Sequence, residues 1–183
     1  MLSRFKLIVL TLAFASFHFG NLAHAGNKVE RAGDVLEVVI PLAAYSLTLV
    51  KGDNQGGREF LRSLSTTFLI THFLKNTVNA ERPNGGIQSF PSGHTAMAFQ
   101  GASFLHARYG LEAAWPAYAA ATFVGYSRVA ANKHHTRDVI AGAALGVATS
   151  FLFTRERFAP REVHVLPFMN GTRAGFNFTV PLQ

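Results

Sequence analysis

A row of small residues at intervals of four is the feature that most constrains the fold of this chain. The residues after the acidic member of the row, up to position 154, are almost wholly apolar. Residues four apart lie on one face of an α-helix, and a face without large side chains lets a neighbouring helix approach closely. The spacing predicts a long helix from His134 or His135 to Thr154, packed tightly against a second helix. The row consists of Asp138, Gly142, Gly146 and Ser150.

Four further segments have the apolar content and length of helices. Residues 59–76 carry apolar side chains close to a helical stripe, and Ser92 and Gly110 are suitable as the N-cap and the stop of a helix over 92–108. Residues 34–50, with Asp34 as N-cap, are expected to form a helix that only packs, and residues 111–129 another. Glycine and asparagine indicate a loop at 52–57. The sequence therefore predicts an all-α bundle of about five helices.

The two ends of the chain differ from this helical pattern. Apolar and polar residues alternate over 176–180, after an Asn-Gly pair at 170–171, which predicts a short C-terminal β-hairpin within 163–181. The first 25 residues have a charged start, an apolar run at 7–17 and an Ala-x-Ala site at 23–25, the pattern of a secretory signal peptide. An uncleaved membrane anchor is the alternative, and both imply export. We expect residues 26–183 to form one domain, with its core at about 34–154.

The composition narrows the class of partner. The formal charge is +7 and hydrophobic residues make up 49% of the chain, with no cysteine for disulfides or thiolate metal sites. A basic chain suits nucleic acid, anionic lipid headgroups or a phosphorylated substrate. No run rich in lysine or arginine and no basic helix face is present, so we expect no nucleic-acid partner, and anionic lipid headgroups and a phosphorylated substrate both remain open.

Three stretches carry residues suited to phosphoryl transfer: KNTVNAERP at 75–83, PSGH at 91–94 and SRVAANKHHTRD at 127–138. Such a reaction needs positive charge around the phosphate oxygens, which Lys75, Arg82 and Arg128 can supply. Backbone N–H groups at a helix start also receive anions, and Ser92 and Gly93 lie at one. Each feature alone is ordinary, because single cations are usually solvated and Ser-Gly is a common helix cap. Their combination favours a phosphate site.

Two histidines can perform the chemistry. If a helix begins near His134, the four-residue step places Asp138 on the same face, where its carboxylate would fix the tautomer of the ring and leave the other nitrogen free to attack phosphorus. His94 is placed to protonate the leaving oxygen and later to accept a proton from water. Three cationic side chains would replace a divalent ion, so we expect no metal and no cofactor.

These stretches resemble the three motifs of the type 2 phosphatidic acid phosphatase (PAP2) superfamily, K-x6-RP, PSGH and SR-x5-H-x3-D. That superfamily also includes bacterial acid phosphatases and vanadium haloperoxidases, and the resemblance covers about residues 34–154. It implies an all-helical fold. The roles it implies are phosphate binding by Lys75, Arg82, Ser92, Gly93 and Arg128, acid–base catalysis by His94, nucleophilic attack by His134 and orientation by Asp138.

The resemblance leads us to expect hydrolysis of a phosphomonoester or diphosphate, of a lipid, through a phosphohistidine intermediate. The alternatives are a soluble periplasmic nonspecific acid phosphatase, a phosphotransferase, a vanadium haloperoxidase using the same site, or an envelope protein without activity. The longest uncharged runs, 113–127 and 139–154, are shorter than the roughly 18 residues of a confident membrane span. Their apolar character nonetheless favours a chain in or on a bacterial inner membrane, facing the periplasm, over a soluble periplasmic enzyme.

Overall fold

The computed structural model describes residues 28–156, 164–170 and 173–179. This part contains five helices, so the prediction of a bundle of about five helices is confirmed. The predicted signal peptide at 1–25 lies outside the described residues. The helices are α1 (Lys28–Val50), α2 (Asn54–Val78), α3 (Gly93–Tyr109), α4 (Leu111–Ala130) and α5 (Thr136–Phe153).

Helix α3 is the central element, since it contacts each of the other four helices. Its small residues allow this, because Ala96, Ala98 and Ala102 are fully buried and leave room for neighbours on several sides. Phe104, also fully buried, packs edge-on against Phe60 of α2 at a centroid distance of 5.0 Å. The central position of α3 places its N-terminus between the ends of the surrounding helices.

The close approach of α5 to α3 follows from the row of small residues. A Cβ atom added at Gly142 would overlap the carbonyl oxygen of Ser92, and one at Gly146 would overlap that of Ala96. Ser150, the last member of the row, donates from Oγ to the carbonyl oxygen of Gln100 over 2.8 Å. The predicted tight packing of this face is therefore confirmed, and it fixes the start of α5 beside the start of α3.

Three helix starts differ from the sequence-based expectation. Helix α2 begins at Asn54, so the predicted loop at 52–57 is wrong for its last four residues, 54–57. The Asp53 carboxylate caps the helix by accepting from the Gly56 amide over 2.9 Å. Glycine is needed at 56 because a Cβ atom would overlap that carboxylate. Helix α1 begins at Lys28, which places Asp34 inside the helix, and α5 begins at Thr136 rather than at 134 or 135.

Two strands follow the helices in the described part of the chain. Strand β1 (His164–Asn170) pairs antiparallel with β2 (Arg173–Thr179), with His164 opposite Thr179 and Asn170 opposite Arg173. Positions 163, 171, 172, 180 and 181 of the predicted hairpin lie outside the described residues.

Helices α1 and α5 are long and apolar enough to cross a membrane. Only 33% and 28% of the residues in their most apolar windows are buried inside the protein, whereas a core helix of a soluble protein is mostly buried. Helix α5 reaches this length because it includes Arg137 and Asp138, which precede the uncharged run at 139–154. The exposed large apolar side chains of the two helices include Val35, Val39, Leu42, Leu49, Ile140, Phe151 and Leu152.

Candidate active site

The three motif stretches meet at one end of the bundle. Residues 75–83 lie at and beyond the end of α2, residues 91–94 open α3, and residues 127–138 join α4 to α5. Direct links connect them: the Ser92 amide donates to the Asp138 carbonyl oxygen over 2.9 Å, and the Ser89 amide donates to the Ala80 carbonyl oxygen over 2.8 Å. Residues far apart in the sequence therefore share one site.

His134 is almost fully buried in the turn between α4 and α5, with 3% of its side chain exposed. Its Nδ1 lies 3.5 Å from the Ser89 hydroxyl, and the Ser89 backbone also hydrogen-bonds the ring. Burial, followed by the positive charges of Lys75, Arg82 and His94, lowers the pKa of His134 to about 3. The ring is therefore neutral near pH 7. With Nδ1 on the Ser89 side, Nε2 is the nitrogen available to a substrate.

Asp138 does not hydrogen-bond His134 directly. The distance from Nδ1 of His134 to Oδ2 of Asp138 is 3.9 Å, an ion-pair distance beyond hydrogen-bond range. Oδ2 instead accepts from the Ser89 hydroxyl over 2.5 Å and from the His135 amide over 2.9 Å. The expected pair on one helical face is thus wrong in detail, because the helix begins at Thr136, after His134. Ser89 lies between the two groups.

Lys75 and Arg82 bring positive charge to the site without a carboxylate bonded to either in the contacts seen here. Lys75 donates from Nζ to the Gln88 carbonyl oxygen over 2.8 Å, and Arg82 donates from Nε to the Ile87 carbonyl oxygen over 3.0 Å. Burial, together with the charge of Arg82, lowers the pKa of Lys75 to about 8, and burial lowers the pKa of Arg82 as well. A carbonyl dipole neutralises no charge, so the two cations remain available to an anion.

The N-terminus of α3 lies beside Lys75. Ser92 is the N-cap, and its Oγ accepts weakly from the Thr95 amide at 3.5 Å. A Cβ atom at Gly93 would meet only ordinary contacts, 3.5 Å from Thr71 Cγ2 and 3.7 Å from Lys75 Cε. Packing therefore does not require glycine at 93, unlike at 142 and 146. The feature that a side chain there would restrict is the space beside Lys75.

Arg128, predicted to bind phosphate, is held by the protein itself. It donates from Nη1 to Asp34 and from Nη2 to the Glu30 carbonyl oxygen, both over 2.6 Å, and from Nε to the Ser127 hydroxyl over 3.0 Å. Only 3% of its side chain is exposed. Arg128 therefore ties the end of α4 to α1, and an anion would have to bind its remaining N–H groups.

His94 contacts two carboxylates of α1. Its Nε2 lies 3.1 Å from Asp34 Oδ1 and 2.9 Å from Glu37 Oε2. Burial opposes protonation, but the charge of Glu37 and the hydrogen bonds to both carboxylates outweigh burial and raise the pKa of His94. His94 and His134 are therefore shifted in opposite directions, one toward the protonated form and the other toward the neutral form.

The family can be decided from a profile match. A model of the PAP2 superfamily matches residues 57–161, more than half of the chain. The chain belongs to the PAP2 superfamily.

Two relatives are lipid A 1-phosphatases, and one solved structure shares the fold. The chain is 44% identical over 70 residues to the enzyme of Porphyromonas gingivalis, covering 36% of this chain and 16% of that protein. It is 27% identical over 129 residues to the enzyme of Helicobacter pylori, covering 66% and 64%. The chain thus spans less than two thirds of either relative. The crystal structure of Aquifex aeolicus LpxE covers 75% of this chain and 92% of its own, with 21% identity and a TM-score of 0.52, which supports the shared helical PAP2 fold.

The sequence analysis assigned no role at the site to Asp34, Glu37 or Ser89, which lie outside the PAP2 motifs. Asp34 was expected to cap a helix, α1 was expected only to pack, and Ser89 lies in a loop next to the second motif. Asp34 and Glu37 stand three apart on an otherwise apolar segment, so they share one helical face, and that pairing was the available signal. Nothing comparable marks Ser89 in the sequence.

Proposed function

We propose that this PAP2 protein is a phosphatase that hydrolyses a phosphomonoester or diphosphate of a lipid through a phosphohistidine intermediate. The observation that carries the proposal is a buried, neutral His134 beside two cations, Lys75 and Arg82, that are bonded to carbonyl groups. An imidazole without its proton is a nucleophile, and cations without anionic partners favour a phosphate. Kinship with lipid A 1-phosphatases supports a lipid substrate.

In the first half-reaction, Nε2 of His134 attacks phosphorus. The N–P bond forms while the P–O bond to the leaving group breaks, and the electron pair of that bond goes to the leaving oxygen. His94 delivers a proton to that oxygen, so the dephosphorylated lipid leaves as a neutral alcohol, or as a phosphomonoester when the substrate is a diphosphate. The Ser89 hydroxyl lies next to Nδ1 of His134 and is itself held by Asp138. Together they would orient Nε2, the attacking nitrogen.

In the second half-reaction, water attacks the phosphohistidine. His94 accepts a proton from the water as its oxygen bonds to phosphorus, the P–N bond breaks, and the electron pair returns to Nε2 of His134. Inorganic phosphate leaves, and both histidines are back in their starting states. Lys75, Arg82 and the backbone at Ser92 and Gly93 would bind the phosphate oxygens throughout.

Arg128 has a second part in this proposal. Three of its donors are bonded within the protein. A guanidinium has five N–H groups, which leaves two for a phosphate oxygen. We therefore propose that Arg128 both binds phosphate and anchors α1.

The substrate class is tested by phosphate release from the purified full-length chain. The substrates would be phosphatidate, phosphatidylglycerophosphate, undecaprenyl diphosphate and lipid A, with 4-nitrophenyl phosphate and glycerol phosphate as soluble comparisons. We expect at least one lipid to give a higher kcat/KM than either soluble ester. A preference for the soluble esters would favour an acid phosphatase, and no phosphate from any substrate by folded protein would refute the proposal.

We further propose that α1 and α5 lie in a bilayer with the site on its periplasmic face. The loop at 80–90 would then be outside the inner membrane, and the α1–α2 turn on the other side. Because the chain has no cysteine, single substitutions give clean labelling with a membrane-impermeant maleimide. Exposed Asn84→Cys should label in intact cells and Lys51→Cys only after lysis. The reverse pattern would overturn the orientation, and release of the protein by alkaline carbonate would overturn the membrane location.

The domain limits complete the proposal. Residues 1–25 would be removed as a signal peptide, and residues 26–183 would fold as one domain that includes the C-terminal hairpin. The mass of the protein purified from membranes tests the first point, with a mature start at Gly26 expected. Protection of the 164–179 segment from limited proteolysis tests the second, and rapid cleavage there would exclude the hairpin from the stable fold.

A further inference from the structure

We propose that Asp34 and Glu37 of α1 are positioning residues that hold His94 as an imidazolium, with its Nε2 proton fixed between them and its Nδ1 proton reserved for the leaving oxygen. The inference rests on the proposed function and extends it to residues outside the three motifs.

The contacts identify which nitrogen is held. Nε2 of His94 is within hydrogen-bond distance of both carboxylates, at 3.1 Å from Asp34 and 2.9 Å from Glu37. If Nε2 carried a lone pair, that lone pair would face two anionic oxygens, which is repulsive. Nε2 must therefore be a donor whenever both carboxylates are ionised. The proton that moves during the reaction is then the one on Nδ1.

The charges around His94 agree with a protonated ring. The charged neighbours are Asp34 and Glu37 from α1 and Arg128 from α4; Lys75 of α2 faces Glu37, and His134 in the α4–α5 turn is neutral. Arg128 is bonded to Asp34, which offsets one of the two carboxylates. The other carboxylate, Glu37, is buried with 7% of its side chain exposed and lies 2.9 Å from Nε2, and at that distance a positive His94 forms an ion pair with it.

Close packing against α4 fixes the position of α1 near Asp34. A Cβ atom at Gly33 would overlap Ser127 Oγ and lie 2.6 Å from Arg128 Nη2, so α1 and α4 are in direct backbone-to-side-chain contact one residue before Asp34. Arg128 adds hydrogen bonds to Asp34 and to the Glu30 carbonyl oxygen. These contacts hold the carboxylates at a set distance from His94, as a positioning role requires.

A general acid matters in proportion to the basicity of the leaving group, and this provides the test. A 4-nitrophenolate leaves without help, whereas the alkoxide of n-octyl phosphate needs a proton. The purified full-length protein, Asp34→Asn and Glu37→Gln would each be assayed for kcat/KM on both esters. We expect each substitution to lower kcat/KM for octyl phosphate at least about tenfold more than for 4-nitrophenyl phosphate.

The ratio of the two kcat/KM values does not depend on the fraction of protein that is folded, so a destabilised variant still gives an answer. Glu30→Gln is the matched control, because its side chain lies on the same helix but pairs with Lys133 at 3.2 Å. Its ratio should equal that of the wild type. An unchanged ratio in both Asp34→Asn and Glu37→Gln, with the wild type active and dependent on His134, would overturn this inference alone. A wild type inactive on both esters and on lipids would overturn the proposed function itself.

Discussion

The two ends of the bundle both bury charged residues, but they differ in how completely the cations are paired with carboxylates, and the pairing is more complete at the far end. There, the Arg108 guanidinium donates to the two Asp53 oxygens over 2.7 and 2.8 Å and to Glu59 over 3.4 Å. At the site end, Lys75 and Arg82 donate to backbone carbonyl oxygens. One cluster pairs a cation with two carboxylates, whereas the other concentrates cations around a neutral imidazole.

The pKa shifts express this difference. The hydrogen bond to Arg108 holds the pKa of Asp53 well below its usual range, and the same bond raises the pKa of Arg108, so each charge stabilises the other. At the site, burial and neighbouring cations lower the pKa values of Lys75 and His134 instead. A cluster with mutually stabilising charges contributes to folding, whereas Lys75 and Arg82, which are hydrogen-bonded to carbonyl oxygens, can bind an anion. The comparison predicts that substitutions at the two ends have separable effects.

Removal of the nucleophile should give the largest effect. We expect His134→Ala to lower kcat by roughly three orders of magnitude or more, because no other described group would then form the bond to phosphorus. The fold should remain, since the ring carries no charge to leave unpaired, with a loss of melting temperature from the cavity that the buried ring leaves. Single-turnover phosphate release measures the rate, and full activity in this variant would remove the covalent mechanism.

Disruption of the Arg108–Asp53–Glu59 cluster at the far end should lower stability and leave the rate of turnover unchanged. Arg108→Met leaves Asp53 and Glu59 buried without their cation, and breaking a buried pair in this way costs about 3–5 kcal/mol of unfolding free energy. The rate per folded molecule should stay within about twofold. Exposed Arg62→Met on α2 serves as the control and should change stability by no more than about 0.5 kcal/mol. A loss of rate per folded molecule in Arg108→Met would mean that the two ends are coupled.

A methyl group at the start of α3 should affect binding more than folding. Gly93→Ala adds a Cβ atom that the protein accommodates at ordinary contact distances, so we expect an unchanged melting temperature. The methyl group would occupy space beside Lys75, and we expect KM to rise about tenfold, or about 1.4 kcal/mol. The contrasting variant is Gly142→Ala, whose Cβ atom would overlap the Ser92 carbonyl oxygen and destabilise the protein. Equal melting losses in the two variants would contradict this assignment.

The sequence predicted the elements that depend on local pattern. Four-residue spacing of small residues predicted a tightly packed face on α5, and Ser92 with Gly110 predicted the limits of α3, because caps and helical periodicity are encoded within a few residues. The spacing did not identify α3 as the partner of that face. The motif residues were found through their spacing for the same reason. Local pattern is thus sufficient for the existence of the helices and for the motif positions, but not for the starts of α1, α2 and α5.

Contacts between distant segments could not be predicted in this way. The partners of His94 come from α1, 60 residues earlier in the case of Asp34, and a helix that is mostly apolar looks like a packing helix until its neighbours are known. Asp53 resembled part of a loop, because its value as a cap depends on Arg108 and Gly56 folding around it. Charge pairing over long sequence separations is a tertiary property and leaves no periodic signal.

The smallest predicted effect is a change in pH dependence at Lys75. Its pKa is lowered to about 8, so the ammonium form is present below pH 8 and is lost as the pH rises through that value. Loss of this charge weakens phosphate binding, and kcat/KM should therefore fall above about pH 8.

Lys75→Arg keeps its charge over the whole range, because arginine does not lose its proton at such pH values. We expect the alkaline limb of kcat/KM to move upward by about one pH unit or more in this variant, while Lys51→Arg at the far end leaves it in place. If the alkaline limb of kcat/KM stays at the same pH in Lys75→Arg, a group other than Lys75 controls phosphate binding at alkaline pH. The positive charge that binds phosphate would then reside mainly on Arg82.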